Sequence, residues 1–209
     1  MEALTKKQGL PVVLSGPSGC GKGTIVSHLL SRYADRFALS VSATTRAPRV
    51  GEQDGVHYHF TDRASFEQAI SEDRILEYTE YCGNYYGTPR SELDEKTARG
   101  YHVILEIEVE GARNVRRLCP EAVLIYVLPP DAKTLEARLR GRGTNSEEDI
   151  LRRLETAKRE ILSLEEYDYV IVNEDNGAAV AAEEIVSIMQ AEALRVTRNR
   201  IAVESFFAP

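Results

Sequence analysis

A glycine-rich loop near the N-terminus carries the residue types that bind phosphate groups. It reads Gly16-Pro17-Ser18-Gly19-Cys20-Gly21-Lys22-Gly23-Thr24. Glycines let successive backbone N–H groups turn toward a ligand, because no Cβ blocks its approach. A short apolar run precedes the loop and an amphipathic segment follows it, so phosphates would meet a helix N-terminus and a lysine that reaches the β- and γ-phosphates. The loop therefore predicts a nucleoside triphosphate site.

The end of this loop departs from the usual pattern. Gly23 stands where such loops have serine or threonine, and the hydroxyl comes one residue later at Thr24. Mg²⁺ is therefore expected to bind Thr24, or to be held mainly by water and by substrate oxygens. Cys20 lies close to Lys22 and to a helix N-terminus, and both favour a thiolate. We expect a lowered pKa for this thiol, without a role as nucleophile.

Between residues 42 and 90 the chain is rich in glycine, threonine, arginine and tyrosine. Arg46 and Arg49 are three residues apart, and Tyr58 follows after two glycines. Arginine forks match pairs of phosphate oxygens and tyrosine hydroxyls donate hydrogen bonds, so the cluster fits an acceptor nucleotide with its own phosphate. From these residues alone, solvated loop charges and half-buried strand tyrosines explain the pattern equally well.

Glu77, Thr88 and Ser42 provide a carboxylate and two hydroxyls in the same segment. Guanine presents N1–H and N2–H₂ donors beside the acceptor O6, so Glu77 would accept from the base while Thr88 and Ser42 donate to O6. Adenine cannot satisfy these groups, and groups left unpaired are what rejects a wrong base. The three residues predict a guanine site.

Acidic residues follow the apolar run 103–105, at Glu106, Glu108 and Glu110. Carboxylates at such strand ends hold Mg²⁺ or its waters in nucleotide-binding proteins. Strand alternation would place all three on one side, where they cannot all be equally buried. Of the three, Glu110 is expected to be solvated.

Arginines and glycines are interleaved between residues 138 and 153. Phosphoryl transfer spreads negative charge over equatorial oxygens, and arginines on a mobile segment stabilise that charge as they close over the site. Glycines beside them suit a hinge, so the segment predicts a lid. Arg140 and Arg152 are expected to be solvated helix charges.

The elements that must position these residues alternate along the chain. Apolar runs predict strands at 11–15, 37–41, 103–107, 123–128 and 170–172, and periodic segments predict helices at 23–33, 131–140, 146–162 and 177–195. Ser146-x-x-Asp149 is a capping pattern for the third helix. Continuous apolar strands are typical of parallel sheets, so the fold class is α/β: a parallel sheet flanked by helices, with an inserted lobe of short strands and one helix at 63–70.

Composition sets the remaining limits. A chain of 209 residues with 43% apolar content can form one compact domain. A net charge of −7 argues against a nucleic-acid or membrane-surface partner. Three scattered cysteines indicate free thiols in a reducing compartment, and no apolar run approaches the roughly 20 residues that cross a bilayer, so a cytoplasmic protein is expected.

Taken together, these motifs resemble the guanylate kinase family from Val12 to about Ile188. The resemblance rests on the loop 16–22, the stretch 44–58, Glu77, the run 83–88, the segment 141–143 and the end of the last strand at 170–173. It implies a P-loop kinase fold over residues 1–209, with a core (1–41, 96–134 and 164–209), a GMP-binding lobe (42–95) and a mobile arginine lid (135–163). The implied reaction is ATP + GMP → ADP + GDP with Mg²⁺ as cofactor, without a covalent enzyme intermediate.

The resemblance also implies roles for individual residues. ATP would contact the loop 16–24 and Asn173, although Asn173 is equally explained as an ordinary turn residue. GMP would contact Ser42, Arg46, Arg49, Glu52, Tyr58, Glu77, Tyr86 and Thr88, with Glu106 and Glu108 at the strand end. The residues implied in catalysis are Lys22, Arg46, Arg138, Arg142 and Arg153.

Two other functions stay open at this point. A kinase of the same fold acting on a ribosyl phosphate would not need Glu77 paired with Thr88. Related domains that bind peptides without catalysis typically lose the loop lysine or glycines, and Lys22 is present. The expected partners are ATP, GMP and also dGMP, in a monomer or homodimer without nucleic acid or membrane.

Overall fold

The computed structural model describes residues 8–141 and 146–198, apart from the side chain of Tyr81. Arg142, one of the predicted lid arginines, lies outside the described residues. The elements in chain order are β1 (Pro11–Ser15), α1 (Lys22–Arg32), β2 (Phe37–Leu39), β3 (Ala43–Thr44), β4 (His59–Phe60), α2 (Arg63–Ser71), β5 (Ile75–Tyr81), β6 (Asn84–Pro89), α3 (Arg90–Ala98), β7 (His102–Glu106), α4 (Val109–Leu118), β8 (Val123–Leu128), α5 (Ala132–Gly141), α6 (Glu147–Glu160), β9 (Tyr169–Val172) and α7 (Ala178–Glu192). A 3₁₀ turn at Ile161–Glu166 joins α6 to β9.

The core is a five-stranded sheet in the order β2-β7-β1-β8-β9, in which every pairing is parallel. The central strand β1 is buried along its whole length, which explains its uninterrupted apolar sequence. One face packs on α1 and α7 around Leu14, Ile25 and Ile185. The other face packs on α3 and α4 around Val13, Leu93 and Val115. The predicted parallel sheet flanked by helices is confirmed.

The part of the chain that follows β2 and precedes β7 forms a smaller sheet, in the order β4-β3-β6-β5. β3 pairs with β4 in parallel, whereas β3–β6 and β5–β6 are antiparallel. Phe66 of α2 is buried against Ala43, Ala69 and Ile75, which gives this sheet a small core of its own. The segment is therefore an inserted unit, as its composition suggested, and we call it the lobe.

Two helices, α3 and α4, were not predicted from the sequence. α3 buries only Leu93 and Thr97, so its sequence lacks an apolar stripe. α4 follows β7 after only two residues, and the acidic run was therefore wrongly treated as continuing strand. β7 ends at Glu106, Glu108 is the residue before α4, and Glu110 is helical and paired with Arg113. Strand alternation therefore does not relate the three carboxylates.

The start of α6 follows its sequence signal. The Ser146 hydroxyl accepts a hydrogen bond from the Asp149 backbone N–H at 3.1 Å. Glu147, Glu148 and Asp149 occupy the first turn, where their charges favour the positive end of the helix dipole. The predicted capping pattern at Ser146 is confirmed.

Candidate functional site

The phosphate-binding loop connects β1 to α1. Gly16, Gly19 and Gly21 have φ values of 144°, 97° and 95°, which side-chain-bearing residues rarely adopt. A Cβ on Gly16 would also lie 2.2 Å from the Val127 carbonyl oxygen on the neighbouring strand β8. The backbone thus requires glycine at all three positions, and at Gly16 the close approach of β8 requires it as well.

Lys22 and Thr24 lie at the first turn of α1. Lys22 Nζ donates to the Gly16 carbonyl oxygen at 2.5 Å, so the ammonium lies over the loop. Within the described part of the chain, no side chain caps this helix N-terminus, and Thr24 is exposed on it. A Cβ on Gly23 would meet no described atom within 4 Å, so the missing serine or threonine at this position does not reflect lack of space.

An open cleft of about 820 Å³ lies over this loop. Glu106, Glu108 and Arg153 line it together with the loop glycines, Lys22 and Thr24, so the cleft unites three separately predicted segments. It is also lined by Ile107, Arg152, Thr156 and Glu160, none of which was predicted to do so. Thr156 and Glu160 lie three and seven residues after Arg153, and this helical spacing is the signal that could have found them.

Two of the arginines predicted for a lid, Arg138 of α5 and Arg153 of α6, contact the end of β9 and the loop. Arg153 Nη1 donates to Ser18 Oγ at 2.6 Å. Arg138 Nη2 donates to the Asn173 carbonyl oxygen at 2.9 Å and to Asp175 Oδ1 at 2.8 Å. Arg153 therefore ties α6 to the loop, and Arg138 ties α5 to the end of β9.

The other two arginines behave largely as solvated charges. Arg140 pairs with Glu136 and Glu147, and Arg152 pairs with Asp149. The side chain of Arg152 is 74% exposed, although part of it lines the cleft.

Asn173 follows β9 and lies beneath the loop. Its side chain is almost fully buried, and Nδ2 donates to the Cys20 carbonyl oxygen at 2.7 Å. Asn173 Oδ1 has no partner among the described atoms. The amide thus ties the loop to the end of the sheet.

Cys20 contradicts its expectation. The thiol is fully buried, and burial raises its pKa more than the neighbouring Lys22 lowers it. A thiolate needs solvation or a closely paired cation, and the Lys22 ammonium is 3.7 Å away while it bonds to a carbonyl. The prediction of a lowered pKa was wrong because the sequence did not show the depth of the loop.

The second cluster lies in the lobe around Arg46. Arg46 Nη2 donates to Glu52 Oε1 at 2.8 Å, and Glu52 Oε2 accepts the Arg49 backbone N–H at 2.7 Å. These bonds, first of all the one from Arg46, lower the pKa of Glu52 to about 2. The Arg46 guanidinium lies 5.5 Å from the Tyr58 ring centre, and the Tyr58 and Tyr86 rings are 5.9 Å apart. Glu52 thus holds the cation in front of the two tyrosines.

Arg49 and Ser42 flank this cluster. The Arg49 side chain is exposed. Ser42 is half-buried just before β3, and its carbonyl oxygen accepts the His59 N–H at 2.9 Å.

Glu77 and Thr88 face each other across β5 and β6. The Thr88 hydroxyl, 2% exposed, donates to Glu77 Oε1 at 2.5 Å. Burial raises the pKa of Glu77, and the bonds from Thr88 counteract this shift in part. The strand pairing explains the spacing of 11 residues between them, because the turn at Cys82–Gly83 folds the two positions together.

Comparisons with known proteins identify the family of the chain. The sequence model of guanylate kinase matches residues 8–192. The chain belongs to the guanylate kinase family. It is 48% identical to the guanylate kinase of Desulfitobacterium hafniense over 94% of this chain and 96% of that one. It is also 48% identical to that of Listeria monocytogenes, over 92% and 93% of the two chains.

Solved structures show the same relationship. The guanylate kinase from Anaplasma phagocytophilum superposes with a TM-score of 0.69 at 35% identity, covering 98% of both chains. The SH3–kinase fragment of tight junction protein 3 reaches a TM-score of 0.50 at 11% identity, which is a likeness of fold alone. Membership of the guanylate kinase family confirms the predicted ATP:GMP phosphotransferase activity. Along the described residues, no helix has the length and apolar character needed to span a bilayer.

Proposed function

We propose that the cleft over the loop 16–24 binds ATP, and that the lobe presents GMP to it for direct transfer of the γ-phosphoryl group. The observation that carries this proposal is the partly buried Glu77–Thr88 pair of the lobe. β5, which bears Glu77, packs on α4, and α4 begins immediately after Glu108, a residue of the cleft wall. A base bound at Glu77 therefore lies next to the triphosphate site.

At the donor side, the loop N–H groups and Lys22 bind the β- and γ-phosphates. A GMP phosphate oxygen attacks the γ-phosphorus, the bond to the bridging oxygen breaks, and ADP leaves with that oxygen. Lys22, Arg138 and Arg153 stabilise the charge on the transferred group. Arg142 is assigned the same role from the family resemblance. Asn173 supports the loop from below, on the side assigned to adenine.

The residues present fit Mg²⁺ bound with the nucleotide. The described side chains form no group of three or more metal ligands, whereas Thr24 lines the cleft beside Glu106 and Glu108. Thr24 would hold the ion together with phosphate oxygens, and the two carboxylates would orient its waters. When bound, Mg²⁺ neutralises phosphate charge.

At the acceptor side, Arg46, Arg49, Tyr58 and Tyr86 bind the phosphate of GMP. Glu52 orients Arg46, because it accepts from both the Arg46 side chain and the Arg49 main chain. Glu77 accepts from guanine N1–H and N2–H₂, and Thr88 and Ser42 lie beside O6. None of these contacts involves the ribose 2′-hydroxyl, so dGMP is expected to be a substrate as well.

The division into a core, a lobe (42–95) and a lid (135–163) belongs to the same proposal. Closure of the lobe and lid would exclude water that otherwise hydrolyses ATP. Cys20, Cys82 and Cys119 are free thiols. Free thiols are typical of a reducing compartment and so support a cytoplasmic location.

The test is an ADP-release assay with GMP, dGMP, AMP, CMP and UMP. We expect GMP and dGMP to be phosphorylated and AMP to react at least about 10³-fold more slowly in kcat/KM. Equal rates with AMP would contradict the assignment of the guanine site. Lys22→Ala should abolish most turnover and leave GMP binding nearly intact, and wild-type rates in that variant would contradict the assignment of the loop.

A further inference from the structure

Gly111 lies in the first turn of α4, directly against the carboxylate of Glu77. A Cβ built on Gly111 would lie 3.3 Å from Glu77 Oε2 and 3.4 Å from the Ile107 side chain. The distance to Ile107 is at the lower limit of ordinary van der Waals contact, whereas the distance to Glu77 Oε2 is tighter than that, so a side chain here would require the Glu77 carboxylate to shift by a few tenths of an ångström. Gly111 is thus the point where the core touches the predicted base-reading group.

The backbone does not explain why this residue is glycine. Gly111 is absent from the glycines with positive φ, and it lies inside a regular helix. Glycine is the least favourable helical residue after proline, and alanine would suit this backbone better. The tight contact with the Glu77 carboxylate gives a physical reason for glycine at this position.

The two oxygens of that carboxylate have different neighbours. Oε1 accepts the Thr88 hydroxyl from within the lobe, whereas Oε2 faces Gly111 of the core. The position of Oε2 is therefore set where β5 packs on α4. A displacement of a few tenths of an ångström at Gly111 would rotate the carboxylate about its bond to Thr88.

We propose that Gly111 is a specificity-determining position for the base of the acceptor nucleotide. Because Gly111 has no side chain, both carboxylate oxygens of Glu77 can face the N1–H and N2–H₂ edge of guanine. The inference rests on the proposed function, because it requires Glu77 to accept from that edge.

The experiment compares GMP with IMP, whose hypoxanthine base keeps N1–H but has no 2-amino group. Gly111→Ala should raise KM for GMP about tenfold, because the charge-assisted hydrogen bond from the guanine 2-amino group to Glu77 is weakened. IMP lacks that group, so its kcat/KM should change by less than about threefold. KM for ATP should stay unchanged. The ratio of kcat/KM for GMP to that for IMP therefore falls at least about threefold, which a general loss of structure would not produce.

Two controls separate this effect from folding. Arg117 lies on the same helix and its side chain is exposed. Arg117→Ala should therefore leave the GMP/IMP ratio of kcat/KM unchanged. The melting temperature of Gly111→Ala should change little, because the gain in helix propensity offsets the cost of the tight contact with Glu77.

A second variant tests the contact itself. Glu77→Asp shortens the side chain and withdraws it from position 111. In the double variant, the loss in kcat/KM for GMP should therefore be smaller than the product of the two single losses. Independent penalties, or an unchanged GMP/IMP ratio in Gly111→Ala, would overturn the inference. If the wild-type protein did not phosphorylate GMP, the proposed function would fail instead.

Discussion

At the scale of single residues, the site depends on groups whose neighbours fix their chemistry. Glu77 is ordinary in sequence, yet burial and the Thr88 hydroxyl make it a fixed acceptor. Cys20 looks activated in sequence, yet burial leaves it with a raised pKa. In both cases the surroundings, and not the residue type, determine what the group can do.

Glu77→Gln should weaken guanine selection. The amide replaces a charged acceptor with a group that is half donor, so kcat/KM for GMP should fall about 10- to 100-fold while KM for ATP stays the same. Steady-state kinetics with GMP and AMP measure this change. Glu80→Gln, on the same strand but exposed, is the matched control, and an unchanged GMP/AMP ratio in Glu77→Gln would contradict the role of this residue.

Two glycines of the phosphate-binding loop should respond oppositely to alanine. Gly16→Ala places a Cβ 2.2 Å from the Val127 carbonyl oxygen at a φ of 144°, so unfolding free energy should fall by about 2–4 kcal/mol. Gly23→Ala enters open space in the first turn of α1 and should be neutral or stabilising by about 0.5 kcal/mol. Urea denaturation of both variants decides this, and equal stabilities would contradict the steric argument.

At the scale of elements, the site lies where the ends of several helices and strands meet. α1 begins at the loop, α6 contributes Arg153, and α4 begins beside the cleft.

α7 closes the core on one face, and its last turn is fixed by a buried carboxylate at Glu192. Tyr169 of β9 donates to Glu192 Oε1 at 2.6 Å, and Arg198 donates to Oε2 at 2.7 Å.

Glu192 should contribute stability that depends on pH. Burial by itself would raise the pKa of Glu192, but the bonds from Tyr169 and Arg198 outweigh it, so the pKa lies below its usual range. The contribution is therefore complete above the unfolded-state value of about 4.3, and it is lost as the pH falls through the folded-state pKa.

The variant Glu192→Gln should lower the unfolding free energy by about 2–3 kcal/mol at neutral pH. Its difference from wild type should shrink below about pH 4, as the wild-type carboxylate becomes protonated. Glu184→Gln on the exposed side of α7 should show neither effect. A difference that is constant with pH would contradict the ionised state of Glu192.

At the scale of the whole molecule, folding divides the three cysteines into two classes. Cys20 and Cys119 are buried in the two faces of the core, whereas Cys82 is exposed at the tip of the lobe. The burial of Cys119 also raises its pKa, to about 12. Reactivity toward a thiol reagent is therefore a measure of the intact fold.

In the folded protein, a thiol-specific chromogenic reagent should modify one cysteine rapidly, and all three in denaturant. Cys82→Ser should remove the rapid phase and keep two thiols that react only on unfolding. Rapid modification of two thiols in the native protein would contradict the burial of Cys20 or Cys119.

Features with local causes could be predicted from the sequence. The geometry of the loop 16–24 is one such feature, because its glycine conformations, Lys22 and the start of α1 all lie within nine consecutive residues. The cap of α6 at Ser146 is another. The parallel sheet also followed from the sequence, since strands buried on both faces must be continuously apolar.

The tertiary structure alone decided how groups distant in sequence meet. Glu77, Thr88 and Gly111 come from two strands of the lobe and one helix of the core, and their positions in the sequence do not show that they lie together. Burial likewise reversed the expected pKa of Cys20. Desolvation and steric contact depend on the complete packing of the chain, so a sequence pattern that records only local periodicity cannot specify them.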